Sequence, residues 1–469
     1  MLFDRIEDQG LAHYSYAVGC PGAGQVAIVD PRRDIDVYLA YAAAQGVRIS
    51  HVFETHIHAD FASGARELAA RTGATLWASA YDAGEVFEVM HPHRDIHHGD
   101  TWQIGAVRLE AVHTPGHTPE HISYLVYDTA RSTDVPMLFL TGDFLFVGSL
   151  GRPDLLGEEA KRGLANQLFD SVRHRLAGLP DGLEVHPAHG AGSMCGAGMS
   201  GRPTSTLGFE RIANPYLAPD LTREDFVARI LGSVPPFPPY YRRMKRVNSD
   251  GAPLLDGLPG IRGLDVAAVK AHVDAGHAVV DLRDQLSFGA GHIPGSFGIG
   301  AGNSFSTWAS WVVPYDTPIV VVAPDAGAVP QAVRALVRVG LDGVVGHLAG
   351  GIDAWIAAGH PVAHIPQLTP VELAARLGDG SGMRVLDVRN ESEWRDGHVP
   401  TAINIMAGEL ADRLEELRDG GRPLAVVCRS GHRSTVAASV LERAGIRDVY
   451  NVTGGLNAWR HAGLPIDVG

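Results

Sequence analysis

Apolar residues in the first part of the chain recur in short runs that alternate with stretches of helical spacing. "VAIVDP" (26–31) is a compact apolar run ending at a proline, which is typical of a buried strand. "DVYLAYAAAQG" (36–46) has helical spacing and ends at a glycine, a natural C-cap. "ISHVFET" (49–55) predicts the next strand and is followed directly by His56. The pattern predicts α/β layers with polar side chains at strand ends, where such layers usually keep their sites.

The periodicity breaks down between Gly232 and Gly260. This stretch, "GSVPPFPPYYRRMKRVNSDGAPLLDGLPG", is rich in proline and poor in regular spacing. It predicts a semi-rigid linker, which we assign to residues 246–260. Its mixture of proline and aromatic residues equally allows the stretch to pack on the surface of a domain.

Beyond this stretch the chain repeats itself. "DLRDQLSFGAGHIPGS" matches "DVRNESEWRDGHVPTA", which aligns Asp281 with Asp387 and His292 with His398. "LAGGIDAW" matches "VTGGLNAW" further on, and in both copies a short β-run precedes a helical segment. Each copy is therefore predicted to be a small α/β unit. The predicted domains are residues 1–245, 261–364 and 365–469.

Composition excludes several classes of function. The 469 residues carry a formal net charge of −14, which argues against a nucleic-acid partner because phosphate binding needs concentrated Lys and Arg. No apolar run is long enough to span a bilayer, and the acidic start "MLFDRIEDQG" lacks the layout of a signal peptide. The three cysteines, Cys20, Cys195 and Cys428, are too few and too scattered for a disulfide framework. We therefore expect a cytoplasmic protein.

Histidine and aspartate recur at the ends of the predicted strands of the first domain. "THIHADF" supplies His56, His58 and Asp60, and the next residue, Phe61, offers no donor atom. "HTPGHTPEH", "TGD" and "HPAHG" supply further candidates: His113, His117, His121, Asp143, His186 and His189. Ordinary hydrogen-bonding loops would explain one such cluster. Four clusters at successive strand ends indicate a metal site.

The same four motifs occur in the order found in the metallo-β-lactamase superfamily, which residues 1–245 resemble. The resemblance implies an αββα sandwich. Dinuclear hydrolases of that superfamily carry a histidine where this chain has Phe61, so one metal is favoured. The mononuclear persulfide dioxygenases, which the chain also resembles, imply one Fe(II) per chain with O₂ as co-substrate. The ligands implied by this resemblance are His56, His117 and Asp143.

Other polar residues near these motifs have supporting roles in this interpretation. His58, Asp60 and His189 would orient the metal ligands. Arg152, in "GRPDLLG", either holds an anionic part of a thiol substrate or pairs locally with Asp154. Cys195, in "GAGSMCGAG", is either a small buried apolar residue or a sulfur-handling residue beside the metal site.

"VVCRSGHRSTVAASVL" carries a second kind of chemistry. A predicted strand ends at Cys428, and a short loop leads into a helix. Backbone N–H groups, the helix N-terminus and the charges of Arg429 and Arg433 all favour a nucleophilic thiolate. If Cys428 were only a buried structural residue, the two arginines in its loop would have no explanation. A tyrosine phosphatase would carry arginine six positions after the cysteine, where this chain has Ser434.

Residues 367–469 resemble the rhodanese family through "LDVRNESEWRDGHVPTAINI" and "NVTGGLNAWRHAGLPI". The resemblance implies that Cys428 carries a sulfane sulfur as a persulfide and that Asp387 and Arg389 support its loop. The first copy has Ala323 opposite Cys428 and lacks the loop arginines, so it is expected to be inactive.

The complete domain order resembles persulfide dioxygenase–sulfurtransferase fusions of bacterial sulfide detoxification, an α/β multidomain architecture. The resemblance implies that glutathione or coenzyme A persulfide is oxidised to sulfite and thiol, and that sulfur transfer through Cys428 yields thiosulfate. One alternative is a dinuclear zinc thioester hydrolase of the glyoxalase II type with an appended sulfur carrier. Another is a sulfur carrier or persulfide sensor whose metal domain is vestigial. We expect a homo-oligomer without nucleic-acid or membrane partners.

Overall fold

A computed structural model of the protein describes residues 1–418 and 421–469. The chain divides into two compact units. The first comprises Met1–Asp256 with Val337–Gly340, and the second comprises Gly257–Leu336 with Leu341–Gly469. No helix within the described residues is long and apolar enough to cross a membrane.

Strands and helices alternate through the first unit. Its strands are β1 (Leu2–Asp8), β2 (His13–Cys20), β3 (Gln25–Val29), β4 (Arg48–Phe53), β5 (Thr75–Ser79), β6 (Arg94–Ile96), β7 (Thr101–Ile104), β8 (Val107–His113), β9 (Ile122–Asp128), β10 (Leu138–Gly142), β11 (Leu145–Phe146), β12 (Ser149–Leu150), β13 (Glu184–Pro187) and β14 (Ser205–Thr206). Its helices are α1 (Asp36–Gln45), α2 (Ala65–Thr72), α3 (Glu158–Arg175), α4 (Leu207–Ala213), α5 (Arg223–Gly232) and α6 (Tyr240–Asp250).

Two six-stranded sheets, ordered β1-β2-β3-β4-β5-β6 and β14-β13-β10-β9-β8-β7, form the centre of the first unit. Their inner faces share one apolar cluster that includes Phe53 of β4 and Tyr124 of β9. A second cluster packs α1 and α2 on the outer face of the first sheet. A third packs α3 and α5 on the second sheet. The layers run helix, sheet, sheet, helix, so the predicted αββα sandwich is confirmed.

The strands and helix predicted before His56 are present at nearly the predicted positions. α1 ends at Gly46, whose φ of 64° is the left-handed conformation that glycine adopts without strain. β3 and β4 pair in parallel, with Val29 opposite Phe53. Because parallel strands end at the same sheet edge, Asp30 and the loop that begins at Glu54 emerge side by side.

The stretch predicted as a linker is different in the structure. α6 spans Tyr240–Asp250, and the first unit extends to Asp256, so residues 246–250 belong to a helix of that unit. The buried residues of α6 are Tyr240, Tyr241, Met244, Lys245, Asn248 and Ser249. Because the buried face of this helix includes a lysine and an asparagine, its hydrophobic residues do not form a continuous apolar stripe. The helical periodicity is therefore not visible in the pattern of hydrophobic residues. Packing on a domain, the second of the two sequence interpretations, is what the structure shows for this helix.

The second half of the chain contains two similar sets of elements. Its strands are β15 (Gly263–Leu264), β16 (Ala278–Asp281), β17 (Phe297–Gly298), β18 (Ile319–Val322), β19 (Val344–Leu348), β20 (Gln367–Leu368), β21 (Arg384–Asp387), β22 (Ile403–Asn404), β23 (Leu424–Val427) and β24 (Val449–Val452). Its helices are α7 (Val266–Asp274), α8 (Gln285–Ala290), α9 (Phe305–Val312), α10 (Val329–Arg338), α11 (Gly351–Ala357), α12 (Pro370–Gly378), α13 (Glu391–Arg395), α14 (His432–Arg443) and α15 (Gly455–His461).

Each set forms a five-stranded sheet, and the two sheets have equivalent orders, β15-β19-β18-β16-β17 and β20-β24-β23-β21-β22. All pairings in both sheets are parallel. Phe288 of the first copy lies in the same buried cluster as Val426 and Cys428 of the second. The prediction of two small α/β copies is confirmed, and the copies share part of a core.

Candidate functional site

Three loops of the first unit bring three donor atoms together. His56 follows β4, His117 follows β8, and Asp143 follows β10 directly. Nε2 of His56 and Nε2 of His117 lie 3.8 and 3.5 Å from Oδ2 of Asp143. These buried atoms have no hydrogen-bond partner within the described part of the chain, and the three residues form a group whose donor atoms lie within 4.8 Å of one another. Unpartnered, converging donors of this kind fit a metal ion.

Hydrogen bonds behind each donor fix its orientation. Nδ1 of His56 bonds Oγ1 of Thr55 at 2.9 Å, and Nδ1 of His117 bonds the carbonyl oxygen of Arg152 at 2.8 Å. Nε2 of His121 accepts the backbone N–H of Asp143 at 3.0 Å. Such bonds select the tautomer that presents Nε2 to a metal.

The charge state of the two histidine ligands also suits a metal. Burial lowers the pKa of His56 and of His117 well below the usual range, and neighbouring positive groups lower both further. Both rings are therefore neutral near pH 7, the form that binds metals. Two imidazoles and one carboxylate leave coordination positions open for other molecules.

His58 pairs with two carboxylates through its Nε2. Its Nε2 lies 3.1 Å from Glu54 and 3.2 Å from Asp30. Burial acts to lower the pKa of His58, but the two carboxylates outweigh it and raise the pKa to about 10. Nδ1 of His58 is buried and has no hydrogen-bond partner within the described residues. The donor atoms of His58, Asp30 and Glu54 also lie within 4.8 Å of one another.

His189 joins Asp60 to Asp143. Its Nε2 lies 2.8 Å from Oδ2 of Asp60, and its Nδ1 lies 2.7 Å from Oδ1 of Asp143. Burial opposes protonation, but the two carboxylates raise the pKa of His189 well above its usual range. Phe61 is fully buried, with its ring centre 4.4 Å from that of His58. The position after Asp60 is thus apolar, and Asp60 and His189 form an ion pair.

Cys195 lies beside this pair as a buried thiol. Its Sγ belongs with Asp60 and His189 to a group of donor atoms within 4.8 Å of one another, and it lies 3.8 Å from the hydroxyl of Tyr241. Burial raises the pKa of Cys195 well above its usual range, and the carboxylates of Asp60 and Asp143 add to the effect. The residue contacts the site, but its surroundings favour the thiol over the reactive thiolate.

The guanidinium of Arg152 is fully engaged by nearby groups. It donates to Asp154 at 2.7 and 2.8 Å and to the carbonyl oxygens of Met194 and Pro235, and only 1% of the residue is exposed. Of the two roles considered for Arg152, local pairing agrees with this geometry. Its link to the metal ligands runs through its backbone carbonyl, which accepts from His117.

Helix α6 supports the ligand loop, a role that the sequence analysis missed. Asn248 donates to the carbonyl oxygens of His58 and Phe61 at 2.8 and 2.7 Å and accepts from the backbone of Ser63 at 2.8 Å. Lys245 donates to the carbonyl oxygen of Ile57 at 2.9 Å. The residues recur at helical spacing in the sequence, but the neighbouring prolines and arginines led to the prediction of a linker.

The cysteine loop of the second rhodanese-like copy surrounds Cys428 with donors. Cys428 follows β23, and its Sγ accepts from the backbone N–H of Gly431 at 3.1 Å and from the hydroxyl of Ser434 at 3.4 Å. The φ of Gly431 is 107°, a conformation that favours glycine. α14 begins at the next residue, so the sulfur lies at a helix N-terminus.

The two arginines of this loop have different surroundings. Arg433 is held by Glu393 through two bonds of 2.6 and 2.8 Å. Burial acts to lower the pKa of Arg433, but Glu393 outweighs it and raises the pKa, and the nearby Cys428 adds to this effect. Arg429 is exposed and lines a surface cavity with Asn457 and Arg460. The loop can hold negative charge on a sulfur atom and leaves one arginine free to meet an anion.

Known families match both halves of the chain. Residues 8–189 match the metallo-beta-lactamase superfamily, and residues 265–358 and 369–462 each match the rhodanese-like domain. The chain is 33% identical over 191 residues to a hydroxyacylglutathione hydrolase of Polaromonas sp., which covers 40% of this chain and 66% of that protein. It is also 33% identical over 245 residues to a hydroxyacylglutathione hydrolase of Anaeromyxobacter dehalogenans, which covers 47% of this chain and 87% of that protein.

A crystal structure of a metallo-beta-lactamase from Staphylococcus aureus is similar over a larger part of the chain. The two share 33% sequence identity with a TM-score of 0.68, and the match covers 74% of this chain and 98% of the other. The protein therefore belongs to the metallo-beta-lactamase superfamily and carries two rhodanese-like domains after its metal-binding domain.

Proposed function

We propose that the protein is a cytoplasmic persulfide dioxygenase joined to a sulfurtransferase. The observation that carries the proposal is the donor set: His56, His117 and Asp143 converge, while His58 is held by Asp30 and Glu54. Two histidines and one carboxylate with open positions are the set expected for non-haem Fe(II). Fe(II) held there would supply the activation of O₂.

The proposed first reaction balances with water. A thiol persulfide, RS–SH, reacts with O₂ and H₂O to give the thiol RSH and sulfurous acid, which ionises to sulfite. The S–S bond breaks, and the four electrons that the sulfur atoms lose reduce O₂. The chain contributes a buried, pre-oriented site: His189 holds Oδ1 of Asp143 so that Oδ2 faces the centre, and Thr55 and Arg152 hold the two imidazoles. We propose glutathione or coenzyme A persulfide as the substrate.

The proposed second reaction takes place at Cys428. Its thiolate attacks the outer sulfur of a persulfide, and RS⁻ leaves. Sulfite then attacks the outer sulfur of the Cys428 persulfide, which forms thiosulfate and returns the thiolate. The N–H of Gly431 and the hydroxyl of Ser434 stabilise negative charge on the sulfur in both states.

A thioester hydrolase with two zinc ions is the second candidate. The names of the two relatives above favour it. A second metal would have the donor atoms of Asp60, His189 and Cys195, which lie within 4.8 Å of one another. Phe61, however, offers no donor atom, and His189 is paired with both Asp60 and Asp143. Oxygen uptake with glutathione persulfide, on protein whose metals are quantified in the same sample, separates the two. About one iron per chain with oxygen consumption supports the dioxygenase. Two zinc ions per chain without oxygen uptake would favour the hydrolase over the dioxygenase.

His117→Ala tests the ligand assignment. Loss of a direct ligand should reduce iron content and oxygen uptake by more than the roughly 10–100-fold expected for a residue that only orients a ligand. Sulfur transfer at Cys428, measured from thiosulfate to cyanide, is the internal control and should be retained. Full oxygen uptake in this variant would show that the ligands are misassigned.

A further inference from the structure

Four residues from the second half of the sequence, Val337–Gly340, belong to the first unit of the structure. They lie inside residues 265–358, which match a rhodanese-like domain. Among them is Arg338, the last residue of α10, and it is only 6% exposed. Burying a guanidinium is unfavourable unless its charge and its N–H groups are paired, so the partners of Arg338 indicate what it does there.

Two buried aspartates of the first unit pair with the side chain of Arg338. Its Nε and Nη2 donate to the two carboxylate oxygens of Asp34 at 2.7 and 2.6 Å, and its Nη1 lies 3.1 Å from Asp8. Asp8 ends β1, and Asp34 lies in the β3 loop, residues 30–35, between β3 and α1. A two-point bond between arginine and carboxylate fixes geometry as well as charge, so the side chain holds the β3 loop in place.

The backbone of Arg338 contacts the ligand loop, residues 54–64, which carries His56. The carbonyl oxygen of Arg338 accepts from the N–H of Ala62 at 2.7 Å. Gly64 of the same loop donates to the carbonyl oxygen of Pro31 at 2.8 Å. Arg338 therefore holds two neighbouring loops, the β3 loop through its side chain and the ligand loop through its backbone.

The β3 loop in turn orients a metal ligand. Asp30 accepts from the N–H and the hydroxyl of Thr55 at 2.7 and 2.8 Å, and Oγ1 of Thr55 bonds Nδ1 of His56 at 2.9 Å. Because the hydroxyl donates to Asp30, it accepts from Nδ1–H of His56, which leaves Nε2 for a metal. A shift of either loop would move this imidazole relative to His117 and Asp143.

The equivalent arginine of the second copy has different partners. Alignment of Gly340 with Gly445 places Arg443 opposite Arg338. Arg443 is exposed and donates to the carbonyl oxygen of Gly295 at 2.8 Å. The rhodanese-like fold therefore does not itself require a buried arginine at this position. The burial of Arg338 agrees with a role in the first unit.

We propose that Arg338 is a positioning residue of the metal site: it fixes the β3 loop and the ligand loop against each other and so sets the position of His56. A segment within the rhodanese-like sequence thus serves metal binding. This role goes beyond the proposed reaction, since a dioxygenase and a hydrolase at these ligands would both need His56 in place.

Titration of the metal-free, full-length protein with cobalt(II) tests this role. Arg338→Lys keeps the charge but cannot bind both oxygens of Asp34 as a planar guanidinium does, and Arg443→Met removes the equivalent arginine of the second copy. The dissociation constant and the visible absorption spectrum of the bound ion are measured together with the thermal midpoint. We expect Arg338→Lys to bind cobalt(II) about tenfold more weakly, with an altered spectrum, as for residues that orient a metal ligand. Arg443→Met should match the native protein in both.

Sulfur transfer at Cys428 should be retained in both variants, and its loss in Arg338→Lys would show that the arginine supports the second unit instead. Arg338→Gln, which also removes the charge, should weaken cobalt(II) binding further, and if it does not fold, Arg338→Lys alone decides. A purely structural arginine would lower the thermal midpoint but leave the affinity and the spectrum of the bound ion unchanged, and that result would overturn the proposal. Equal weakening in Arg443→Met would overturn it as well. No cobalt(II) binding by the native protein would refute the metal site and the proposal together.

Discussion

The two rhodanese-like copies keep the same framework but differ in the loop where chemistry would occur. Asp281 and Asp387 each bind the arginine two residues later, at 2.6 Å in both copies. The indole N–H of Trp355 and that of Trp459 each donate to a carbonyl oxygen six residues later, at 2.8 and 2.7 Å. These buried bonds hold the fold, and they remain in the copy that has lost its cysteine.

The equivalent loops of the two copies differ in the atom that accepts hydrogen bonds from their backbone N–H groups. In the second copy, the N–H of Gly431 points at the sulfur of Cys428. In the first copy, Oδ1 of Asp325 accepts from the N–H groups of Gly327 and Ala328 at 2.8 and 3.2 Å. The first loop is thus satisfied by its own carboxylate and has Ala323 at the end of its strand. The comparison shows that the fold supplies a loop with converging backbone N–H groups and that a few side chains decide which atom accepts from them.

The first copy still contributes to the second. His292 bonds Glu442 at 3.0 Å, and the ring of His432, beside the cysteine loop, lies 3.4 Å from the carbonyl oxygen of Gly300. Phe288 packs in the cluster that contains Cys428. The first copy therefore packs beside the cysteine loop of the second, whatever its own chemistry.

Among the substitutions that test this comparison, Cys428→Ser should have the largest effect, because it removes the thiol that distinguishes the second copy from the first. Loss of a covalent nucleophile should reduce thiosulfate-to-cyanide transfer by about 10³-fold or more. Oxygen uptake with persulfide should persist because the metal ligands are untouched. Residual transfer near the native rate would mean that sulfur is carried at another cysteine.

Ala323→Cys, added to Cys428→Ser, tests whether a thiol alone is enough. We expect transfer to stay below about 1% of the native rate, since Asp325 occupies the loop N–H groups and no loop arginine is present. Further replacement by Asp325→Ser should increase transfer about tenfold, the effect of roughly one pKa unit on the thiolate population. Substantial activity without that third change would show that the carboxylate does not block the loop.

Arg433→Ala should have a moderate effect. Its guanidinium is held by Glu393 and acts on Cys428, whereas the first copy has Ala328 and Ser287 at the aligned positions. We expect the KM for thiosulfate to increase about tenfold with a smaller change in kcat. Arg334→Ala, in a helix of the first copy, is the control and should leave KM unchanged.

The smallest expected effect concerns the pH dependence of stability, compared between the native protein and Glu393→Gln. Burial alone would raise the pKa of Glu393, but Arg433 outweighs it and the pKa is lowered. A carboxyl with a depressed folded-state pKa stabilises the fold above its unfolded value, near 4.3, and loses that contribution as the pH falls further. The unfolding free energy of the native protein should therefore fall more than that of Glu393→Gln between about pH 5 and 3, by roughly 1 kcal/mol or less. Urea titrations at both pH values measure it, and parallel curves would contradict the role of the pair.

The sequence by itself determined the features that depend on neighbouring residues. Alternation of apolar runs located β3, α1 and β4, and internal similarity revealed the two copies. The resemblance of the histidine motifs to the metallo-β-lactamase superfamily implied the sandwich. The loop after Cys428 was readable because strand, glycine, arginines and helix follow one another within a few positions. These patterns involve residues that lie close together in the sequence, so they can be recognised without the structure.

Only the tertiary structure decided which polar groups face one another. His56, His117 and Asp143 converge because β4, β8 and β10 end near the same point. His58 pairs with Asp30 because that residue emerges beside it. The packing of α6 on the ligand loop brought Lys245 and Asn248 to a site far from them in sequence. Sheet order and the burial of charge set these contacts, and both depend on the whole fold rather than on any short segment.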